Sequence, residues 1–341
     1  MENQNLSQNG AEKCAKCGFS LSHLAFLLGA ILVLLRLFRA AKHTDFRAKI
    51  VLITGGSRGL GLCLAREFAA QGARLALVAR DEAELSRAAS ELRAAGADVF
   101  TFAADITEKD APQRIISEVV KRFGALDILV NNAGIMTFGP HENMDEADYE
   151  AAMNLHFWAP LRLIEAAKPF LKQSKSARIV NIVSIGGLVA VPLMAPYTAS
   201  KFALAGLSDA LRSELAKDGI SVTTVCPGIM RTGSHLAVKF KGPQKLLYKL
   251  FKIGASFGAV SDVSAAKQIL DATRYGDPSL TFPAPMFWAS VLSRLFPNTA
   301  GFKLALVGRV LPKPTDDGDK ALSGHDLEPG VADSPIGKIT K

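Results

Sequence analysis

Residues Lys49 to Thr54 read Lys-Ile-Val-Leu-Ile-Thr, a short β-branched apolar run, and lead straight into Gly55-Gly56-Ser57-Arg58-Gly59-Leu60-Gly61 and an amphipathic helical stretch. An apolar run without polar alternation marks a strand covered on both faces, as strands of parallel sheets are. Glycine in the turn lets backbone approach a ligand. The helix N-terminus behind it presents unpaired N–H groups and a partial positive charge, so the expected guest is the pyrophosphate of a dinucleotide. A glycine-rich turn alone also fits a plain loop; strand, glycines and helix in this order supply the context that the binding reading needs.

The same alternation runs on. Strand patterns fall near 49–54, 74–79, 98–103, 126–131, 177–183, 220–226 and 279–283, with helical patterns between them. The expected fold class is α/β, a doubly wound parallel sheet of the Rossmann type. With 341 residues, 49% hydrophobic and 21% charged, the chain has ample material for one sizeable core and some attachments. No repeat of solenoid period and no low-complexity tract interrupts it.

Chemistry is carried by Ser184, which follows the strand-like run Arg-Ile-Val-Asn-Ile-Val, and by Tyr197-Thr198-Ala199-Ser200-Lys201. Tyr197 and Lys201 are four apart, so on a helix they share a face and the ammonium sits beside the phenol. A free phenol titrates near ~10, and a neighbouring cation lowers that value. The expected unit is a tuned acid, with Ser184 hydrogen-bonding the same substrate oxygen while Tyr197 donates a proton. By itself a Tyr-x-x-x-Lys pair equally describes an exposed helix face.

Together these motifs resemble the short-chain dehydrogenase/reductase family in its one-domain branch. The resemblance runs from Lys49 to Thr232. It rests on Thr54 to Gly61, Asp105, Asn131-Asn132-Ala133-Gly134, Asn154, Ser184, Tyr197 to Lys201 and Pro227-Gly228-Ile229-Met230-Arg231-Thr232. It implies that Tyr197 is the proton donor, that Lys201 lowers its pKa and binds the nicotinamide ribose, and that Ser184 orients the carbonyl. Asn154 would hold a water linking Lys201 to solvent. Cofactor contacts are implied for Thr54, Gly55, Ser57, Arg58, Gly59, Leu60, Gly61, Asn132, Ala133, Gly134, Tyr197, Lys201, Pro227, Gly228, Ile229 and Thr232. Asp105 and Ile106 fall at the adenine position. The family commonly pairs through the helix bearing the tyrosine, so a homodimer or homotetramer is expected.

Charge argues the choice of nicotinamide cofactor. Where the second strand ends, an NAD enzyme places an acidic residue for the ribose hydroxyls; this chain has Ala79 and Arg80. A guanidinium binds a 2′-phosphate through charge-assisted bonds that a carboxylate would oppose. Arg58 is the candidate second cation, and Asp81 partly offsets Arg80. NADP(H) is the expected cofactor.

Three attachments surround the core. Residues 1–18 are polar, and 19–38 contain Leu24 to Leu35 without a polar side chain. Twenty residues make about 30 Å of helix, a bilayer's hydrocarbon depth, so 19–38 is expected to be a transmembrane anchor. A cleaved signal peptide is the rival, disfavoured because Arg36, Arg39, Lys42, Arg47 and Lys49 follow in place of a small-residue cleavage site. Those five cations outnumber Lys13 and Lys16 on the other side, which puts the catalytic domain on the cytoplasmic face. They also account for part of the net charge of +8 without a nucleic-acid partner, for which no motif is present.

The domain is expected over 45–311, with a lid over about 233–311. Within it, Lys239 to Ile253 spaces Leu246, Leu247, Leu250, Phe251 and Ile253 helically among Lys245, Lys249 and Lys252. Both a substrate lid and a helix lying in a membrane surface fit that pattern. Phe282 to Leu311 is apolar but broken by prolines and Arg294, and reads as a monotopic or lid-supporting segment. Residues 312–341 are rich in Asp, Gly, Pro and Lys and read as a disordered tail.

Cys14 and Cys17 have half the spacing of a zinc site but no second pair follows, so no metal is expected. Cys63 and Cys226 read as buried apolar residues, and His141 and His156 as structural. The expected activity is NADPH-dependent reduction of a carbonyl on a lipophilic substrate. A non-catalytic NADPH-binding scaffold and a reductase of soluble carbonyls are the alternatives, and the sequence leaves the direction of the reaction open.

Overall fold

The computed structural model describes residues 21–231, 234–256, 259–316 and 318–332. The chain divides into two units, Met1–His43 and Thr44–Lys341. In the first, the described residues form one helix, α1 (Leu21–Ala41), whose Phe26, Ile31, Leu34, Leu37 and Phe38 are exposed. Among the described residues no helix is long and apolar enough to cross a membrane. Residues 19 and 20 of the span expected over 19–38 lie outside the described residues, and its described part, α1, does not reach that length and apolarity. Its unbroken apolar run, Leu24 to Leu35, gives only about 18 Å of helix, with Ser22 and His23 before it and Arg36 after it. Residues 1–18, with Cys14 and Cys17, lie outside the described residues.

In the second unit seven parallel strands form the main sheet: β1 (Ile50–Thr54), β2 (Arg74–Ala79), β3 (Val99–Ala103), β4 (Ile128–Asn131), β5 (Arg178–Ile182), β6 (Ser221–Pro227) and β7 (Ser279–Phe282). Their order is β7-β6-β5-β4-β1-β2-β3. β1 is buried along its whole length. It pairs with β2 from Ile50↔Arg74 to Thr54↔Val78 and with β4 from Val51↔Ile128 to Ile53↔Val130. The order reverses between β1 and β4, where a crevice opens beyond the strand ends.

Helices cover both faces. On one lie α2 (Gly59–Ala70), α3 (Glu82–Ala94) and α9 (Asp262–Tyr275), packing Leu64, Phe68, Leu85 and Ile269 with Val51 and Ile53. On the other lie α4 (Ala111–Phe123), α6 (Ala159–Leu171) and α7 (Ala195–Leu215), packing Ile115, Val119, Leu163 and Leu211 with Ile50 and Leu52. The two faces of one strand thus feed two cores, which is why β1 shows no polar alternation. The sheet is as the strand patterns predict, within two residues at each end.

Outside the two helical layers lie α5 (Glu146–Met153), α8 (Gln244–Ser256), α10 (Ala284–Leu295), α11 (Pro297–Gly308) and α12 (Gly324–Ala332). The expected helix over 239–253 starts five residues late, because Lys239–Phe240 instead forms a short strand between Thr137–Phe138 and Leu322–Ser323. Lys241 is buried and its ammonium spans Asp145 and Asp148 at 3.0 and 2.6 Å. The expected disordered tail is also corrected for its described part. Leu327 of α12 is buried with Phe240, Leu247 and Tyr248, Tyr248 bonds Glu328, and Lys252 pairs with Glu328 at 2.9 Å. Few large apolar residues occur in this segment, but one leucine on a helix seated by Glu328 suffices to dock it. Asn143 fixes the approach by donating to the Thr315 carbonyl at 2.9 Å and to Asp319 at 3.1 Å. The expected boundary at 311 therefore divides a segment that folds with the domain.

Candidate active site

The glycine turn between β1 and α2 is closed from both sides. Gly55 has φ +65°, in the left-handed region that glycine occupies without strain, and a Cβ on Gly61 would stand 2.1 Å from the Gly55 carbonyl oxygen. Thr54 Oγ1 accepts the N–H groups of Asn132 and Ala133 at 3.0 and 3.1 Å, and the Asn132 amide donates to the Thr54 carbonyl at 2.9 Å. The segment 131–134 is thereby fastened to the glycine turn across the mouth of the crevice. Asn131 instead donates to Asn181 at 2.8 Å, Asn181 to Ser208, and Ser208 to the Leu204 carbonyl. This buried chain of amides reaches from β4 into α7. The α2 N-terminus, free of any side-chain cap, and a turn with no room for a Cβ fit a pyrophosphate.

Arg58 and Arg80, the two cations expected to read the 2′-phosphate, both have acidic neighbours. Arg58 pairs with Glu84 at 3.3 Å, a carboxylate that also accepts from Ser57 at 2.9 Å; Arg80 lies 3.9 Å from Asp105. Glu84 went unnoticed in the sequence because its partners lie 26 and 27 residues away. Burial opposes ionisation of Asp105, but bonds from the Thr107 hydroxyl and N–H, with Arg80 nearby, hold its pKa below the ordinary value. Ile106 is buried beside it.

The chemical residues gather at the other side of the crevice. Ser184 ends the chain's exit from β5, and its Oγ accepts the Gly186 N–H at 3.1 Å. Tyr197 stands in the first turn of α7, within hydrogen-bonding reach of Ser184, and a Cβ on Gly186 would stand 3.2 Å from its ring. Lys201 follows one turn later, buried, its ammonium 5.7 Å from the Tyr197 ring centroid and donating to the Ile182 carbonyl at 2.8 Å. Asn154 is exposed at the start of a π-helical turn, Asn154–Trp158, between α5 and α6. Pro227 and Gly228 close β6, Gly228 lying against Pro283 and Met286, and Ile229 is exposed. Thr232 lies outside the described residues.

One electrostatic expectation is corrected. Burial raises the Tyr197 pKa; the Ser184 hydrogen bond works against that rise and Cys226 adds to it. Lys201 does not offset it: with its own pKa near 7, its amine has lost its charge before a phenol above the ordinary value ionises. Burial brings Lys201 itself down to about 7. By the protein's own groups, Tyr197 is a protonated phenol at neutral pH. Burial also raises the Cys226 thiol to about 11, which leaves it an apolar neighbour, as the sequence predicts.

His156 does more than fill space. Buried and neutral, its pKa pushed well down by burial and by Lys201, it stacks edge-on to Tyr197 at 5.4 Å. Nε2 accepts the Ile135 N–H at 3.1 Å, and Nδ1 lies 2.8 Å from Ser200 Oγ, which donates to the Tyr197 carbonyl at 2.9 Å. Those partners assign the proton to Nδ1. The ring thus ties the loop after Gly134 to the helix that carries Tyr197. The sequence hid this because the π-helical turn alters which residues face α7. His141, bonded to Tyr149 at 2.9 Å on the surface, takes no part.

Residues 49–239 match the short chain dehydrogenase family. This chain belongs to that family. It is 33% identical over 244 residues to 11-beta-hydroxysteroid dehydrogenase A of Sesamum indicum, covering 70% of each chain. It is 32% identical to a ketoacyl reductase of Nostoc sp., covering 59% of this chain and 70% of that one. Among solved structures, a metagenomic short-chain oxidoreductase in complex with NADP is 28% identical, with a TM-score of 0.58 over 70% of this chain and 98% of that one. A short chain dehydrogenase/reductase from Burkholderia phymatum, at 23% identity and a TM-score of 0.70 over 80% of this chain and 98% of that one, shares the fold. The chain is an oxidoreductase of the short chain dehydrogenase family, and its cofactor is a nicotinamide dinucleotide.

Proposed function

We propose that this dehydrogenase reduces a carbonyl of a lipophilic substrate to the alcohol with NADPH. The observation that carries the reading is the protonated phenol of Tyr197, held beside Ser184 and Lys201 at the sheet's switch point. When bound, NADPH supplies the hydride. Tyr197 donates its hydroxyl proton to the carbonyl oxygen, and Ser184 donates a hydrogen bond to the same oxygen and so fixes its direction. Lys201, titrating near 7, takes or releases a proton close to neutral pH and is the group through which the phenol is recharged. Asn154, exposed at the π-helical turn, gives that relay an outlet to solvent.

Residues Thr54 to Gly61, Asn132 to Gly134 and Pro227 to Ile229 would hold the cofactor, with Asp105 and Ile106 at its adenine. Arg80 and Arg58 would take the 2′-phosphate. Both guanidiniums are exposed, at 63% and 72%, so their present ion pairs are each worth about 0–1 kcal/mol and a phosphate can recruit them at little cost. Turnover is measured as NADPH oxidation against a panel of steroid, retinoid, sphingoid and acyl ketones. Tyr197→Phe is expected to lose about 10²–10⁴-fold in kcat with NADPH binding kept, and undiminished turnover refutes the assignment. Arg80→Asp is expected to shift preference toward NADH; an unchanged preference removes the 2′-phosphate argument.

The same reading places the domain at the cytoplasmic face of a membrane, held there by the exposed apolar residues of α1. Alkaline carbonate extraction separates an embedded helix from a surface-bound one, and a C-terminal reporter in sealed vesicles reads the side. Self-association through α7 is supported by exposed Phe202 on that helix and by Trp158. Sedimentation of Phe202→Glu tests it.

A further inference from the structure

Helices α10 and α11 expose Trp288, Leu292, Leu295, Phe302 and Leu306, and Val310, just past the end of α11, is 81% exposed. No residue of α11 is buried at all. A twelve-residue helix is marginal in water without packing, and each large apolar side chain gains about 1.5–3 kcal/mol on leaving water. So wide an apolar surface marks a face that something covers.

Charge says what covers it. From Phe282 to Thr315 the chain carries Arg294, Lys303, Arg309 and Lys313 and not one Asp or Glu. A second copy docking through the same patch would bring these cations against their own equivalents. An anionic bilayer receives both halves of the pattern. Acyl chains take the apolar side chains, while the lysine and arginine stems run back to the headgroups, at about 1 kcal/mol per cation. The prolines suit a segment that lies in the interface and does not cross it: Pro297 separates the two helices at Phe296.

The patch also starts at the active site. Pro283 and Met286, at the head of α10, lie against Gly228, which follows the strand end bearing Cys226. We infer that α10 and α11 form a monotopic docking surface for an anionic lipid bilayer, through which an amphiphilic substrate enters the crevice from the membrane. Substrate entry rests on the proposed lipophilic carbonyl; docking does not.

The chain has two tryptophans, so Trp158→Phe leaves Trp288 as the sole reporter. The full chain is placed in nanodiscs of phosphatidylcholine and phosphatidylglycerol, with plain or brominated acyl chains, and NADPH binding is measured on the same samples. Contact with acyl chains predicts about a twofold or greater loss of Trp288 emission in brominated discs, because interfacial side chains sit at that depth. Phe302→Glu with Leu306→Glu is expected to remove the loss and keep NADPH binding. Equal emission in both discs overturns the proposal if Trp288 is open to aqueous iodide. It is also overturned if Trp288 is shielded from both quenchers in a cross-linked pair of chains, which would make a second copy the occupant. Quenching without turnover of any lipophilic carbonyl upholds docking and counts against the substrate reading.

Discussion

Gly61 and Gly301 each stand in a helix of twelve residues, α2 and α11. At Gly61 a Cβ would meet the Gly55 carbonyl oxygen at 2.1 Å; at Gly301 it would meet nothing within 4 Å. Around the first, Leu60, Leu64 and Phe68 are buried; around the second, no side chain is. One helix is specified by its own chain, packed to the point where a methyl group has no place. The other is apolar yet unpacked among the described residues, as the proposed place at a membrane surface requires. A phosphate cradle needs fixed backbone, whereas an exposed apolar face suits contact with other molecules.

That contrast can be broken by substitution, beginning with the largest effect. Gly61→Ala is expected to abolish NADPH binding and cost about 3 kcal/mol in urea unfolding, since a backbone carbonyl cannot yield as a flexible side chain would. His156→Leu leaves the Ile135 N–H and the Ser200 hydroxyl short of partners in the interior, for about 2–4 kcal/mol, and lowers kcat through Tyr197. A fall in stability with kcat unchanged would show that the imidazole is only structural. Leu327→Ala is expected to cost about 2–3 kcal/mol, confined by hydrogen exchange to α8 and α12, with β1 to β4 unaffected.

A smaller effect concerns pH. Lys201 titrates near 7 in the folded chain against an ordinary 10.5, so between those values the unfolded chain binds more protons. Stability contributed by keeping Lys201 uncharged is therefore present above the unfolded value and is lost as pH falls toward 7. Lys201→Met should flatten that part of the melting-temperature profile by a few degrees, and an unaltered slope would assign the titration elsewhere. Gly301→Ala is the control at the far end: about 0.5–1 kcal/mol of added stability and no change in turnover.

The sheet was legible because its strands are buried on both faces, and β-branched runs such as Ile50 to Thr54 have few other uses. Ser184, Tyr197 and Lys201 were legible as a spacing and do converge. The electrostatics were not: helical neighbours at positions 197 and 201 suggest a cation beside a hydroxyl, and only the Ile182 carbonyl shows where the ammonium goes. Long-range partners leave no local trace either, which is why Glu84, Asn181 and His156 became visible only in three dimensions. The tail misled through composition. Gly, Asp and Pro at 312–316 and 318–320 do form irregular backbone, but Asn143 awaits Thr315, and Tyr248 awaits Glu328, from more than seventy residues upstream.

The strap formed by Thr315, Asp319, Leu327 and Glu328 is made after every residue that builds the nucleotide crevice. A growing chain can therefore complete its nucleotide site early and acquire the clasp that seats α8 and Asn143 only later, so the two parts mature in sequence. Any lesion confined to that clasp should yield a protein that still holds nucleotide firmly while α8 loosens.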